Sequence, residues 1–284
     1  MKDFFKNLLS ACRNDKAAMV GGIVVALYLV IAIIGPWITH LNGVPNGAAA
    51  YLGPSWKHPL GTDALGQSNL SEVIVGTRPV IEIGLLAAVF TVSIGVIVGL
   101  VTGYLGGVAD SVIMRVTDVF LTIPGLPLII VIASLVQTTS PIILAAILSV
   151  TGWAGLARPI RAQALGLRTS DFIEAARLQG MPLRNIVGRQ LLPNVGPYVA
   201  IHFLLDITGA IYAEVGLFLL GIAPLSGTNW GEMINVAMSQ GALFTSQSVW
   251  ALFVPMVAII ALQVSFVFFA RALDTVFNPR LRVQ

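Results

Sequence analysis

The chain has 284 residues, of which 56% are hydrophobic and 10% are charged, and its mean hydropathy is +0.88. Soluble domains carry about 25% charged residues, so a chain this apolar cannot cover its own surface with polar groups. We therefore predict an integral membrane protein. The net charge of +3 does not indicate a nucleic-acid partner, and Cys12, the one cysteine, excludes an internal disulfide and a cysteine-based metal cluster.

An apolar run at residues 17–38 follows a basic N-terminal stretch, an order that also occurs in signal peptides. The run is longer than the roughly 7–15 residues of a signal-peptide core. At about 1.5 Å per residue it crosses the roughly 30 Å hydrocarbon layer. We predict a retained first transmembrane helix, with residues 1–40 forming the N-terminal tail and this helix.

Six runs are apolar enough to be membrane spans. They cover residues 17–38, 80–103, 119–137, 141–157, 196–222 and 249–270. Pro124 and Pro127 interrupt the start of the third span, but prolines are tolerated in membrane helices whose neighbours satisfy the freed backbone groups. The predicted segments outside the spans are an extracytoplasmic segment at 41–79, a loop at 158–195 and a tail at 272–284.

The basic residues predict the orientation. Fourteen of the sixteen Lys and Arg residues lie in the N-terminal tail, the loops at 104–118 and 158–195, or the C-terminal tail, and Lys57 and Arg78 lie on the other side. Loops rich in Lys and Arg stay in the cytoplasm. We therefore expect a multi-pass protein of the plasma (inner) membrane with both termini in the cytoplasm.

The polar segment DFIEAARLQGMPLRNIVGRQLLPN begins at Asp171 and faces the cytoplasm in this topology. Asp171 and Glu174 have the spacing of a capping box at a helix start. Gly180 suits the left-handed position that ends a helix, and Pro182 suits the first turn of the next helix. With Pro193 ending that second helix, we predict a helix, a tight turn and a helix.

The first of these helices has a small-residue surface and an apolar face. Ala175 and Ala176 let another protein approach closely, and Phe172, Ile173 and Leu178 form the apolar face. The alternative interpretation is an amphipathic loop that lies on the membrane surface beside anionic lipid.

The segment EAARLQG followed after a spacer by LLP resembles the EAA motif of ABC-importer permeases, in which this loop forms a coupling helix that docks into a cytoplasmic ATPase subunit. Other blocks resemble the dipeptide/oligopeptide permeases in the same order. They are HPLGTDALGQ (58–67), GYLGGVADSVIMRVTDVFLTIPGLPLII (103–130), AEVGLFLLGIAPLSGTNWGEMI (213–234) and NPRLR (278–282).

This resemblance implies an all-α type I ABC importer permease fold with six transmembrane helices, whose transmembrane domain spans 80–271. It implies a homologous permease as partner, two cytoplasmic ATPase subunits that bind ATP and Mg, and an extracytoplasmic substrate-binding protein, with no cofactor bound by this chain itself. The implied ATPase-coupling residues are Asp171, Glu174, Ala175, Ala176, Gly180, Pro182, Leu192 and Pro193.

Two stretches depart from the family's usual pattern: GQSNLSE (66–72) and LFLLGIAPLSGTNWG. Both face the side at which a binding protein and its solute arrive, so they bear on the solute rather than on the coupling. We expect a peptide-like solute, with an oligosaccharide as the alternative. No lysine follows a glycine, so the phosphate-binding GK[ST] core is missing and the chain is not itself an ATPase.

Three ionisable residues, His202, Asp206 and Glu214, fall within an arc of roughly 120° on the fifth span. An acidic side chain at mid-membrane costs about 2.5–3.5 kcal/mol, so it should face water or a partner. Asp206 and Glu214 are therefore candidates to line a translocation path, with interhelical hydrogen bonding as the alternative. A stand-alone secondary transporter that uses them for ion coupling is the rival function.

The second span contains Gly95, Gly99 and Gly103, a spacing that lets helix backbones approach closely. This packing would occur within the subunit or against a partner subunit.

The histidines at 40, 58 and 202 have no ligand spacing, so no metal site is predicted. Asp63 is either a docking residue or, in the simpler interpretation, a turn-forming residue after Gly61.

Overall fold

The computed structural model describes residues 15–39, 41, 45–224, 228–243 and 248–277. The predicted tail regions at 1–14 and 278–284, the NPRLR block and the histidine at 40 lie outside the described residues. The helices are α1 (Lys16–Ile38), α2 (Asn69–Leu105), α3 (Gly107–Thr122), α4 (Gly125–Val136), α5 (Pro141–Leu167), α6 (Asp171–Leu178), α7 (Leu183–Leu219), α8 (Trp230–Ser239) and α9 (Val249–Phe277), with a 3₁₀ turn at Gly47–Ala49.

Within the described part of the chain, five helices are long and apolar enough to cross a membrane: α1, α2, α5, α7 and α9. The pair α3 and α4 makes a sixth span if it is counted as one, and its two helices are bent by 85°. The prediction of an all-α membrane protein is confirmed, but the third span is broken rather than straight. Ile123 is extended, with ψ 127°, because the residue before a proline avoids the helical region.

Two helices extend beyond their predicted spans. Helix α2 begins at Asn69, so the last part of the segment expected at 41–79 is already helical. Helix α5 continues through the predicted loop start at 158 to Leu167. The polar connection between membrane helices is therefore shorter than the predicted loop at 158–195.

The core is built around α2, which packs along α5 and α7. The buried apolar side chains of the core fall into three clusters, of which the one nearest the C-terminal end of α2 includes Leu100, Ile160 and Ile173. Helix α1 packs against α9 and α2, and Gly21 allows a close approach to Phe268. Most of α1 is exposed, as expected for a helix that faces lipid.

The segment between α1 and α2 is organised by Asp63. One of its carboxylate oxygens accepts hydrogen bonds from the backbone N–H groups of Leu65 (3.0 Å) and Gln67 (2.6 Å). The turn-forming interpretation of Asp63 is thus confirmed. Trp230 of α8 donates its indole N–H to the Val73 carbonyl oxygen at 3.0 Å, which fixes α8 against α2.

Candidate functional site

Helix α6 contains most of the candidate coupling residues, and its start differs from the predicted capping box. Ser170 precedes the helix, and its carbonyl oxygen accepts from the N–H groups of Ile173 (3.0 Å) and Glu174 (3.1 Å). The Ser170 hydroxyl instead donates to the Leu167 carbonyl oxygen at 2.5 Å, so it is used within the link from α5. Asp171 is the first helical residue, where its charge complements the positive end of the helix dipole.

One face of α6 is buried and the other is open. Ile173 and Ala176 lie in the apolar core, whereas Asp171, Glu174 and Ala175 are exposed. The predicted apolar face is therefore divided, because Ile173 is 0% exposed while Leu178, on the open side, is 86% exposed. The open side therefore carries the charged residues together with the exposed side chains of Phe172 and Leu178.

Arg177 attaches α6 to the C-terminal end of α2. Its Nε lies 3.2 Å from the Tyr104 hydroxyl oxygen, and its guanidinium carbon lies 4.8 Å from the centroid of the Tyr104 ring. The hydrogen bond and the cation–π contact together orient α6 on the membrane helices. Tyr104 was not among the residues selected from the sequence. The one indication of its role there is its position at the predicted end of the second span.

Gly180 forms the turn after α6. Its φ of +67° is in the left-handed region, and its N–H donates to the Arg177 carbonyl oxygen at 2.9 Å, as predicted for a glycine that ends a helix. A Cβ atom at Gly180 would have no atom within 4 Å. Pro182 is the N-cap residue of α7, so it lies one position before the first helical turn in which it was expected.

The prediction that Pro193 ends a second short helix is wrong, because α7 runs on from Leu183 to Leu219. A π-helical segment, Ile186–Leu191, precedes the proline, and such a segment shifts the backbone hydrogen bonds by one residue. Leu192 and Pro193 then begin a new α-helical stretch, in which the missing proline N–H is not needed. The turn at Gly180 therefore connects α6 directly to a membrane helix.

The two candidate pathway carboxylates lie in different surroundings. Glu214 is 1% exposed and accepts a hydrogen bond of 2.6 Å from the Asn229 side-chain amide, which is the interhelical bonding weighed above. Asp206 is half-buried. One oxygen of each carboxylate, Oδ2 of Asp206 and Oε2 of Glu214, is buried without a hydrogen-bond partner among the described residues. His202 stacks against Tyr198, with ring centroids 4.2 Å apart.

The three glycines of α2 lie against α5 of the same chain. A Cβ atom would lie 2.9 Å from the Trp153 carbonyl oxygen at Gly95, and 2.6 Å from the Ala157 carbonyl oxygen at Gly99. At Gly103 it would lie 2.6 Å from the Cβ atom of another small residue of α5. The two backbones can approach this closely only where the side chain is a hydrogen atom.

Among the residues that the structure describes, no group of three or more His, Cys, Asp or Glu side chains is placed to hold a metal ion. Glu232 lies in α8, which is not among the helices long and apolar enough to cross a membrane. Burial raises the pKa of Glu232 from 4.5 to about 7.

Comparison with known proteins identifies the family. The family described as "Binding-protein-dependent transport system inner membrane component" matches residues 95–283, and the "N-terminal TM domain of oligopeptide transport permease C" matches residues 3–54. The chain belongs to this family of transport-system membrane components. It is a non-catalytic, multi-pass membrane permease rather than an enzyme.

Curated relatives resemble the chain over nearly its whole length. The dipeptide transport system permease protein DppC of Bacillus subtilis (strain 168) is 32% identical over 274 residues, which cover 95% of this chain and 84% of the relative. The oligopeptide transport system permease protein OppC of the same organism is 30% identical over 282 residues, covering 98% and 90%. OppC of Haemophilus influenzae is 30% identical over 275 residues, covering 95% and 86%.

Proposed function

We propose that the chain is one permease subunit of an ATP-driven importer of a peptide-like solute. It would form half of the translocation pathway and pair with a homologous permease. Two cytoplasmic ATPase subunits, which bind ATP and Mg, would dock on the α6 segments of the pair, and an extracytoplasmic binding protein would deliver the solute. The names of the relatives, which are dipeptide and oligopeptide permeases, support the solute class.

The division of α6 into a buried and an open face carries this proposal. Ile173 and Ala176 fix the helix to the core, so the exposed residues Asp171, Glu174 and Ala175 are free to contact another protein. Continuity of the turn with α7 means that a push on α6 reaches a membrane helix without passing through a flexible loop. Such rigid attachment is what mechanical coupling between an ATPase and a membrane pathway needs.

Asp206 is the better candidate for the pathway. It is partly exposed on α7, whereas Glu214 is bonded inside the chain. We propose that Asp206 faces the aqueous path in the assembled permease pair, since an unpaired carboxylate in a membrane helix is expected to reach water.

Gentle-detergent purification of the tagged chain from its native membrane tests the assembly. We expect a homologous permease and ATPase subunits to co-purify with ATPase activity, and a co-purifying binding protein to bind peptides rather than oligosaccharides. Recovery of the chain alone, with uptake into vesicles driven by an ion gradient, would favour the secondary transporter instead.

Two substitutions test the docking surface. Glu174→Lys and Gly180→Leu should abolish uptake while the protein still inserts and folds. Gly107→Leu is the matched control for the second, because Gly107 also has a φ of +67° and a Cβ there would have no atom within 4 Å. Both leucines cost about 1–2 kcal/mol of backbone strain, so a difference in uptake reports contact with a partner. Equal uptake by both glycine variants would refute docking at Gly180.

A further inference from the structure

Helix α3 is attached to the protein in an unusual way. Of its residues, all of which the structure describes, just Asp110 and Thr117 are buried, and both are polar. None of its side chains belongs to the three apolar clusters of the described residues. Its outer face is apolar and open, with Val108, Val112 and Val119 more than half exposed. The Phe120 ring of α3 does contact the Trp153 ring of α5, with centroids 5.2 Å apart, but α3 is not part of the apolar clusters of the described residues.

Two ion pairs attach α3 to the cytoplasmic half of α5. The Arg161 guanidinium donates from Nε and Nη2 to the two oxygens of Asp110, each at 2.5 Å. Arg158 pairs with Asp118, two turns further along α3. A two-bond guanidinium–carboxylate contact fixes orientation as well as distance. The Arg158–Asp118 contact is a single bond, so the two pairs together hold α3 at two separate points along α5.

Arg158 and Arg161 lie in the C-terminal half of α5, which leads into the candidate coupling helix α6. Helix α5 ends at Leu167 and α6 begins at Asp171, so a short link joins them. That link is tight, because both the N–H and the hydroxyl of Ser170 bond to the Leu167 carbonyl oxygen. Helix α5, to which α3 is bound, is therefore connected tightly to α6.

The far end of α3 leads into α4, which packs on the other half of α5. After the 85° bend, the buried residues Ile129 and Ala133 of α4 lie in a cluster with Leu144 and Leu148 of α5 and with Leu217 of α7. Helices α3 and α4 therefore lie against the same helix, α3 near its C-terminal end and α4 near its start.

We propose that Asp110, Asp118, Arg158 and Arg161 form an ionic clamp that makes α3 move together with α5 and α6. These four are positioning residues, and the inference rests on the proposed ATP-driven function.

The first test compares ATP hydrolysis with uptake in proteoliposomes that contain the co-purified complex. Asp118→Asn, whose side chain is half exposed, should leave folding intact and raise the ATP hydrolysed per solute taken up by about fivefold or more, the lower range of coupling between sites. The charge exchange of Asp118→Arg with Arg158→Asp should restore the ratio. Glu82→Gln is the control, because it removes an exposed pair with Arg78 at 4.0 Å.

The second test measures distances between spin labels in a Cys12→Ser background. Ser111→Cys and Thr169→Cys place labels at exposed positions on α3 and on the link between α5 and α6. We expect the distance between these two labels to be the same without nucleotide and with trapped ATP. Asp110→Asn should broaden this distance.

The outcomes separate the two proposals. Uptake by the unsubstituted complex that does not depend on ATP would overturn the proposed function and the clamp with it. An ATP-driven complex in which Asp118→Asn keeps the native ratio would overturn the clamp alone. A distance between 111 and 169 that changes with nucleotide in the unsubstituted complex would do the same.

Discussion

Replacing Gly99 by alanine tests how closely α2 and α5 must approach. The new Cβ atom would lie 2.6 Å from the Ala157 carbonyl oxygen and 2.7 Å from the Ile160 Cβ atom, whereas ordinary contact begins at 3.4 Å. The Ala157 oxygen is a backbone atom, and the Ile160 Cβ atom is attached directly to the backbone, so neither can rotate away. Overpacking of this kind costs about 1–3 kcal/mol.

The helix propensity of alanine opposes this cost, because alanine is more favourable than glycine by about 1 kcal/mol in a helix. Gly155→Ala isolates that gain, since a Cβ atom at Gly155 of α5 would have no atom within 4 Å. Gly166→Ala is a second control for the same reason. The free energies of unfolding of Gly99→Ala and Gly155→Ala should therefore differ by about 1–3 kcal/mol.

The assay is unfolding of the purified chain by SDS in mixed lipid–detergent micelles, followed by tryptophan fluorescence. Gly99→Ala should unfold at lower SDS than the native chain and Gly155→Ala at slightly higher SDS. If the two variants agree within about 0.5 kcal/mol, the range of neutral substitutions, the argument that Gly99 is required by close packing is refuted.

Three further predictions concern single polar groups. The raised pKa of Glu232, about 7 against 4.5, means that the stability contributed by the protonated side chain is complete below about pH 4.5 and is lost as the pH rises through about 7. Glu232→Gln should therefore raise the melting temperature at about pH 8 and leave it nearly unchanged at about pH 4. Equal effects at both pH values would contradict the argument that burial raises the pKa of this carboxyl group. Asn229→Leu leaves Glu214 buried without its partner and should cost about 1–3 kcal/mol, whereas the double variant with Glu214→Leu should recover part of that cost; strict additivity in a double-mutant cycle would show that the 2.6 Å bond contributes nothing. Tyr104→Phe keeps the ring beneath the Arg177 guanidinium and should leave hydrogen exchange of the α6 amides near native, while Tyr104→Ala should increase it. Equal increases in both variants would show that the hydroxyl, and not the ring, attaches α6.

Features set by local chain chemistry were accessible from the sequence. Gly180 has the left-handed backbone that its place after EAARLQ predicts, because helix termination there needs no partner from elsewhere in the fold. The apolar runs likewise indicated the membrane helices, since spanning a bilayer is a condition on length and polarity.

Features that depend on what lies beside a residue were predicted less well. Pro124 and Pro127 indicate an interruption, yet the size of the bend depends on how α3 and α4 each pack against α5. Pro193 reads as a helix stop, but the preceding π-helical segment accommodates it and the helix continues. Local rules cannot distinguish a proline that ends a helix from one that follows such a segment.

The membrane class, the spans and the position of the candidate coupling segment follow from hydropathy, charge distribution and turn chemistry, which act locally along the chain. Other features depend on the folded arrangement: which side of α6 is open, which of Asp206 and Glu214 is bonded inside the chain, and which arginines pair with Asp110 and Asp118. These outcomes depend on residues far apart in sequence, such as Asn229 beside Glu214 and Tyr104 beside Arg177. Burial and pairing are properties of the assembled helices, and no single segment carries them.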